Sequence, residues 1–169
     1  MLTQQHPAQR DVDGWIAKAI AAQPQPERNA LTVADFALLA QLAQETALAM
    51  HLAIVVSLVD AHGHPRYFVS MDNALLVSLR LAGQKAYSAV ALRMPTHELA
   101  EQVQPGAPLF GLQQQADICA VGGGLPCWHQ GHLLGGIGIS GGTAEEDVAI
   151  ARHVLHHFTQ QRFSLSPFA

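Results

Sequence analysis

Residues 125–146 read LPCWHQGHLLGGIGISGGTAEE, and this stretch decides the fold. Two apolar runs flank Gln130-Gly131, a pair typical of a tight turn between antiparallel strands. Gly141-Gly142 interrupts the second run, and Thr143 with Glu146 three residues later forms a capping box. The stretch therefore predicts a β-hairpin followed directly by the last helix of the domain.

Upstream, the apolar residues alternate between helical and strand spacing. Thr32 with Asp35 resembles a second capping box. Asp72 or Asn73 is expected to cap a later helix that Pro95 ends. The predicted elements are a helix at 32–51, strands at 53–59 and 66–71, a helix at 73–93 and a further strand at 118–121. We predict an α+β fold with one five-stranded antiparallel sheet and flanking helices.

The composition favours association between copies of the chain. Of the 169 residues, 49% are hydrophobic and 13% are charged, whereas about 25% charged residues is usual in a soluble domain. The additional apolar surface would be buried between subunits. We therefore expect a homo-oligomer, and a compact, alanine-rich monomer is the alternative.

Charge and hydropathy exclude two classes of partner. The formal net charge is -4 and lysine and arginine are scattered, so we expect no nucleic-acid partner. The apolar runs fall short of the ~18 residues of a membrane span, and the first residues lack the pattern of a secretory signal. Two cysteines are too few for a disulfide framework, which makes the cytoplasm the expected location.

Residues 1–30 are expected to form an appendage, and residues 31–169 the domain proper. Apolar residues, Trp15 among them, recur at helical spacing over 11–22 and predict a short amphipathic helix. Two prolines within 23–29 predict a linker after it. The helix would dock its apolar face on a partner or pack against its own domain or a neighbouring subunit.

A series of motifs runs through the domain. The motifs are Val59-Asp60-Ala61-His62-Gly63-His64, Met71-Asp72-Asn73-Ala74, Gln84-Lys85-Ala86-Tyr87-Ser88-Ala89, Gly122-Gly123-Gly124-Leu125-Pro126, and Gly135-Gly136-Ile137-Gly138-Ile139-Ser140-Gly141-Gly142 with Glu145-Glu146-Asp147 after it. Together they resemble the signatures of the GlcG/HbpS-like, haem-degrading family. The run Met94-Pro95-Thr96-His97-Glu98-Leu99 is similar to the C-terminal domain of PduO-type corrinoid adenosyltransferases and to stand-alone proteins encoded with diol and glycerol dehydratases.

This resemblance implies a profilin-like α/β/α sandwich, assembly into oligomers, and haem as the cofactor. Members of the wider family are linked to haem breakdown or to cobalamin metabolism. The adenosyltransferase half of PduO is not expected within the residues that precede the domain, so corrinoid adenosylation is not expected either. The resemblance also implies an iron-ligating histidine on the first helix, where this sequence has Gln44-Glu45-Thr46-Ala47 and no histidine before His51.

Two groups of residues are candidates for holding an anionic ligand. Gly122, Gly123 and Gly124 would allow a close backbone approach, beside the helix start at Gly141 and Thr143 where free N–H groups favour anions. The alternative is that these glycines serve tight turns and subunit packing. Lys85 lies among alanines on the predicted second helix and would pair with a carboxylate such as a haem propionate. Otherwise it would extend to the surface or pair with Glu98 or Asp72.

Histidine and cysteine supply the candidate metal ligands. His97 follows Pro95-Thr96 within a family motif and is the candidate haem-iron ligand, with His51 as an alternative. His153, His156 and His157 have the spacing of a transition-metal site, although histidine is also favoured near a helix C-terminus. Cys119 and Cys127 are expected to be small buried apolar residues, with a reactive thiol or soft ligand as the alternative.

Three functions remain open from the sequence. The first is a non-catalytic binding protein for haem or another tetrapyrrole, accessory to cobalamin-dependent diol or glycerol metabolism. The second is an enzyme that degrades haem or reduces a cofactor. The third is a ligand-free cargo or scaffold protein of a bacterial microcompartment, because residues 11–22 look like an encapsulation peptide that docks on a shell protein.

Overall fold

The computed structural model describes residues 12, 14–18 and 30–163, and it contains four helices and four strands within 30–163. The helices are α1 (Val33–Ala49), α2 (Ser78–Leu92), α3 (Thr96–Gln102) and α4 (Ala144–Phe163), and a 3-10 turn spans Leu112–Gln114. The strands are β1 (Val55–Asp60), β2 (Pro65–Ser70), β3 (Gly124–His129) and β4 (His132–Ser140).

The four strands form one antiparallel sheet in the order β2-β1-β4-β3. Each edge strand is joined to a central strand by a hairpin, and the two hairpins meet where β1 pairs with β4. At the β3–β4 turn, Gln130 and Gly131 both have positive φ, which is the geometry of a type I′ turn. The tight turn predicted at this pair is therefore confirmed.

The sheet has four strands, so the prediction of a fifth strand at 118–121 was wrong. The backbone groups of this segment hydrogen-bond to side chains of the helices and not to a neighbouring strand. The amide of Cys119 donates to Ser88 Oγ at 2.8 Å, and the carbonyl of Val121 accepts from Thr96 Oγ1 at 2.6 Å. The segment crosses the sheet end without entering a ladder.

The two faces of the sheet are covered by different layers. Helices α1 and α4 pack against each other and on one face, while α2 packs on the other face over β4, β3 and β1. The main core lies under α1 and α4, where Val56, Leu58, Ile137 and Ile139 meet apolar helix residues. This α/β/α arrangement, an α+β fold with an antiparallel sheet, agrees with the predicted class.

The alternation along β4 explains why α2 lies so close to the sheet. Ile137 and Ile139 enter the main core, and the glycines that alternate with them, Gly136 and Gly138, face α2. A Cβ atom on Gly138 would overlap the carbonyl oxygen of Ala82, and one on Gly136 would lie 2.6 Å from Val90 Cγ2. The glycine-rich motif is thus a contact surface for a helix backbone.

Of the predicted helix starts, that of α1 is confirmed and that of α2 is not. Thr32 caps α1 through a complete capping box with Asp35, as expected. The prediction that α2 begins at 73 was wrong. Asn73 has a φ of 64°, in the left-handed region, and the helix begins only at Ser78 after a series of turns.

At the N-terminal end, residues 12 and 14–18 are helical. Val12, Trp15 and Ile16 are exposed there. The remainder of the predicted helix at 11–22, and the linker at 23–29, lie outside the described residues. Among the described residues, no helix has the length and apolar character needed to cross a membrane.

Candidate functional site

Lys85 is buried at the middle of α2, with a relative exposure of 1%. Its ammonium donates to Asp147 Oδ2 at 2.8 Å and to the carbonyl of Ile139 at 2.9 Å. The sequence suggested Glu98 or Asp72 as an internal partner, and the partner is Asp147. Burial raises the pKa of the Asp147 carboxyl, an effect that the hydrogen bond and charge of Lys85 oppose.

The glycine triplet packs directly against this ion pair. Gly123 has a φ of 119°, and a Cβ atom there would lie 2.5 Å from the carbonyl oxygen of Ile139 and 3.0 Å from Lys85 Nζ. A Cβ atom on Gly122 would meet Val148 at 3.0 Å, and one on Gly124 would overlap the backbone of Lys85. Because these glycines have no side chains, their backbone packs closely against Lys85 and its neighbours.

The N–H groups at the start of α4 also have internal partners. The amide of Gly142 donates to Asp147 Oδ1 at 2.9 Å, and the amide of Thr143 donates to Glu146 Oε2 at 2.8 Å. Thr143 Oγ1 accepts from the amide of Glu146, which confirms the predicted capping box. Gly141 packs on the chain near Ala53, where a Cβ atom would overlap a carbonyl oxygen.

We call these residues the lysine–glycine cluster; its members are Lys85, Asp147, Gly122–Gly124 and Gly141–Thr143. The sequence offered the glycines with the start of α4 as one candidate and Lys85 as another, and the structure brings them together with Asp147 at one end of the sheet. The Lys85 ammonium and the amides of Gly142 and Thr143 all bond to carboxylates of the chain itself, which occupy the positions where a ligand anion was expected.

His97 lies at the start of α3, next to a residue that anchors this helix. Thr96 is fully buried, and its Oγ1 accepts from the amide of Gly124 at 2.9 Å and donates to the carbonyl of Val121. The family motif around Pro95-Thr96 therefore fixes α3 to the glycine triplet. His97, one residue later, is placed against α4.

His97 lines a pocket of about 520 Å³ together with the first two turns of α4. The other lining residues are Ala144, Glu145, Val148, Ala149 and Arg152. Arg152 Nη2 lies 2.9 Å from His97 Nε2, whereas His97 Nδ1 is buried and has no hydrogen-bond partner among the described residues. Arg152 was not anticipated from the sequence, although its spacing from Ala144, Val148 and Ala149 gives one helix face.

The other candidate histidines lie elsewhere. His51 is exposed just after α1, with a φ of 57°, and the Gln44 side chain on α1 donates to the carbonyl of Ala40. His153 and His157 have ring centroids 4.0 Å apart, with His157 Nδ1 near the carbonyl of His153. In the described part of the chain, no group of three or more histidine, cysteine or acidic residues is arranged to hold a metal ion.

Both cysteines are buried and free. Burial raises the pKa of the Cys127 thiol to about 12, and it also raises the pKa of Cys119. The thiolate, which is the nucleophile and the metal ligand, is therefore scarce at neutral pH. This favours the interpretation of both residues as small apolar side chains.

The family model described as "Haem degrading protein HbpS-like" matches residues 31–156. The chain belongs to the HbpS-like family. The resemblance found in the motifs is thereby confirmed, and the HbpS-like match covers the whole sheet, α1 to α3 and the larger part of α4.

Named relatives of this HbpS-like chain come from bacteria. The corrinoid adenosyltransferase PduO of Salmonella typhimurium is 43% identical over 148 residues, which cover 83% of this chain and 44% of PduO. A 15.0 kDa protein from the dhaT-dhaS intergenic region of Citrobacter freundii is 39% identical over 132 residues, 77% of this chain and 93% of that protein. The chain thus spans less than half the length of the PduO relative.

Two solved structures have the same fold. The PduOC:Heme complex aligns with a TM-score of 0.73 at 45% identity, covering 75% of this chain and 94% of PduOC. The Klebsiella pneumoniae protein ORFY aligns with a TM-score of 0.75 at 34% identity, covering 82% of this chain and 95% of ORFY.

Proposed function

We propose that this chain binds haem, or another tetrapyrrole, without chemically transforming it, as an accessory to cobalamin-dependent diol or glycerol metabolism. The observation that carries the proposal is the His97 ring, which lines an apolar pocket and whose Nε2 is held only by the exposed side chain of Arg152. Membership of the HbpS-like family and similarity to PduOC, which was solved with haem, support the choice of ligand.

The contact with Arg152 selects the tautomer of His97 that an iron ligand requires. A guanidinium has only N–H donors, so His97 Nε2 accepts from Arg152 and the proton of the neutral ring resides on Nδ1. The lone pair on Nε2 is the one that a metal would take. His97 would therefore hold the iron through Nε2, once Arg152 has rotated away.

The pocket fits a flat, mostly apolar group with carboxylates at its edge. Its volume lies within the ~300–1,000 Å³ of small-molecule sites, and alanine and valine side chains supply the apolar wall. Arg152 is exposed and is free to turn towards a ligand carboxylate, as its bidentate geometry favours. Glu145 lines the same pocket and would repel that carboxylate, so we expect propionates on the Arg152 side.

Haemin titration followed by visible absorbance tests this proposal. We expect a saturable Soret shift in the native chain, its loss in His97→Ala, and its retention in His153→Ala, which removes an exposed histidine from α4. A shift that survives in His97→Ala would move the iron ligand elsewhere. A titration with cobalamin distinguishes haem from a corrinoid as the preferred tetrapyrrole.

The same complex separates binding from catalysis. Under our proposal the Soret band remains stable when ascorbate and oxygen are supplied, because the pocket offers no acid–base pair beyond His97 and Glu145. Steady loss of the band with formation of a linear tetrapyrrole would instead establish the haem-degrading alternative. Equal bleaching by His97→Ala would identify that loss as non-enzymatic.

We also propose that the chain forms homo-oligomers. Phe68 on edge strand β2 and three residues before α2, Leu75, Leu76 and Val77, expose between 52% and 82% of their surface. Apolar patches of this kind commonly mark subunit interfaces. Light scattering should give a mass above the 18.1 kDa of one chain, and Leu76→Glu should reduce it; a native mass of one chain would contradict the proposal.

A second candidate role is docking to a microcompartment shell protein through residues 11–22, as cargo or scaffold. It is favoured by the exposure of Val12, Trp15 and Ile16, which is 71% at Trp15. Residues 1–28 fused to a fluorescent protein should then co-purify with shells, and Trp15→Glu should prevent this. Unchanged recruitment of the Trp15→Glu fusion would argue against docking by the apolar face.

A further inference from the structure

A second cleft lies on the opposite side of the sheet from α1 and α4. It has a volume of about 410 Å³ and is bounded by β1, the start of β2, one flank of α2, and Asp117 in the segment between α3 and β3. Helix α2 packs over β4, β3 and β1, which leaves the β2 edge of this face uncovered. We call it the Ser57–Arg80 cleft; it shares no lining residue with the His97 pocket.

The floor of the cleft is a buried hydroxyl. Ser57 lies in β1 opposite Gly138 on one side and Phe68 on the other, and only 4% of its surface is exposed. Its side chain nevertheless lines the cleft, so its Oγ is within reach of a hydrogen-bonding partner there. A ligand atom or a water in the cleft would hydrogen-bond to this hydroxyl.

Gly83 keeps the space above this hydroxyl open. A Cβ atom built on Gly83 would meet only Ser57 Oγ, at 3.9 Å, so the helix backbone is not what requires a glycine here. Glycine inside a helix is unfavourable relative to alanine. This contrasts with Gly138 on the neighbouring strand, where contact with α2 leaves no room for a side chain.

The walls of the cleft include a cation, Arg80, and a hydrogen-bond acceptor, Asp117. Arg80 forms no ion pair with any described residue, and neither does Asp117 on the facing segment. Gln84 and Ser88 donate to the carbonyls of Ala116 and Asp117, which fastens that segment beside α2. An arginine fork recognises a carboxylate or phosphate, whereas a carboxylate and hydroxyls recognise hydroxyl groups.

From these observations we infer that the Ser57–Arg80 cleft binds a small hydroxylated anion, a carboxylate or a phosphate ester. Arg80 holds the anionic group, and Ser57, Tyr87 and Asp117 hydrogen-bond to the hydroxyls. The site is independent of the His97 pocket, so the chain would respond to a small metabolite and to a tetrapyrrole at separate places.

Calorimetric or NMR titration of the purified full chain tests this inference with three related probes. D-glycerate and glycerol 3-phosphate carry the two kinds of anion on a hydroxylated three-carbon frame, and glycerol lacks the anion. We expect saturable binding of at least one anion below about 10 mM and none of glycerol. Preference between the two anions identifies the carboxylate or the phosphate as the natural group.

Matched variants assign the binding to the cleft. Arg80→Gln should weaken affinity at least about tenfold, whereas Arg93→Gln, at the other end of α2 and outside the cleft, should leave it unchanged. Gly83→Leu should abolish binding by filling the space, and Gly83→Ala provides a folded control because its methyl group fits. His97→Ala should retain binding, which keeps this test separate from haem binding.

Three results would overturn the inference. They are the failure of both anions to bind the native chain, binding of glycerol as strong as that of the anions, and binding that Arg80→Gln leaves intact.

Discussion

The lysine–glycine cluster and the His97 pocket lie on either side of Thr96, yet the hydrogen bonding of their polar groups differs. In the cluster, a buried ammonium has a carboxylate and a carbonyl as partners, and the helix N–H groups have carboxylates of their own. In the pocket, a buried ring nitrogen of His97 has no partner, and the other nitrogen is held by an exposed arginine.

This difference separates motif residues that build the domain from residues available to a ligand. A charge pair as deeply buried as Lys85 and Asp147 loses solvation that its own contacts must offset, so withdrawing a partner is costly. Releasing Arg152 from His97 costs little, because the guanidinium remains in water. Perturbing the cluster should therefore change stability, and perturbing the pocket should change binding.

The largest effect is expected from Gly138→Ala. Its added methyl group would overlap the carbonyl oxygen of Ala82 and lie 2.7 Å from the amide of Ala86, so α2 would have to move off the sheet. We expect a loss of about 4 kcal/mol or more, or no folded protein. Circular dichroism during urea unfolding measures this, and near-native stability would show that the contact between α2 and the sheet is loose.

Lys85→Met is expected to cost about 3–5 kcal/mol, because it leaves Asp147 buried without its cation. Burial already raises the pKa of Asp147, and removal of Lys85 raises it further. A carboxyl whose folded pKa is raised stabilises the fold at low pH and loses that contribution as pH rises. The deficit relative to the native chain should therefore be smaller at pH ~5 than at pH ~8.

The double variant Lys85→Met/Asp147→Asn is the control for that experiment. It no longer has a buried carboxyl at position 147, so its unfolding free energy should recover in part and its extra pH dependence should vanish. A Lys85→Met deficit that grows towards low pH would contradict the assignment of the effect to Asp147.

His97→Ala should change the free energy of unfolding by no more than about 1 kcal/mol. The substitution removes a half-buried ring with one unpartnered nitrogen, and Arg152 is left in solvent. Urea unfolding beside Lys85→Met provides the comparison. A loss of unfolding free energy as large as that of Lys85→Met would show that His97 stabilises the fold. It would contradict the proposed difference between the two regions.

The smallest effect, and the only stabilising one, is expected for Gly83→Ala. Alanine is favoured over glycine in a helix interior by about 0.5–1 kcal/mol, and its methyl group would meet only Ser57 Oγ, at 3.9 Å. A small rise in the urea midpoint of unfolding should result. Destabilisation would show that α2 is closer to β1 than the open cleft indicates.

Much of the fold was predictable because it rests on local signals. The capping boxes at Thr32 and Thr143 and the turn at Gln130-Gly131 are short-range patterns, and each is present. The prediction of a fifth strand failed because the backbone around Cys119 hydrogen-bonds to the side chains of Ser88 and Thr96. These partners lie about 25 to 31 residues away in the sequence. No periodicity in the segment itself carries that information.

The site was predictable only in part, for a related reason. Lys85 and the glycines were singled out as two separate candidates, but the pairing of Lys85 with Asp147, 62 residues away, was not predicted. This pairing makes Lys85 part of an internal ion pair. His97 was singled out as well, whereas its contact with Arg152 spans 55 residues. Side-chain partners across the sheet depend on the tertiary fold, and a single sequence does not encode them in any local pattern.

The central claim, that ligand capacity lies at His97 and not at the lysine–glycine cluster, is tested most directly by NMR of ring-¹⁵N-labelled histidine with zinc protoporphyrin IX. This probe is diamagnetic and accepts one axial imidazole. We predict that a single Nε2 resonance, absent from the spectrum of His97→Ala, shifts on titration. An unchanged His97 resonance accompanied by a shift of another histidine, or by no shift at all, would contradict the account.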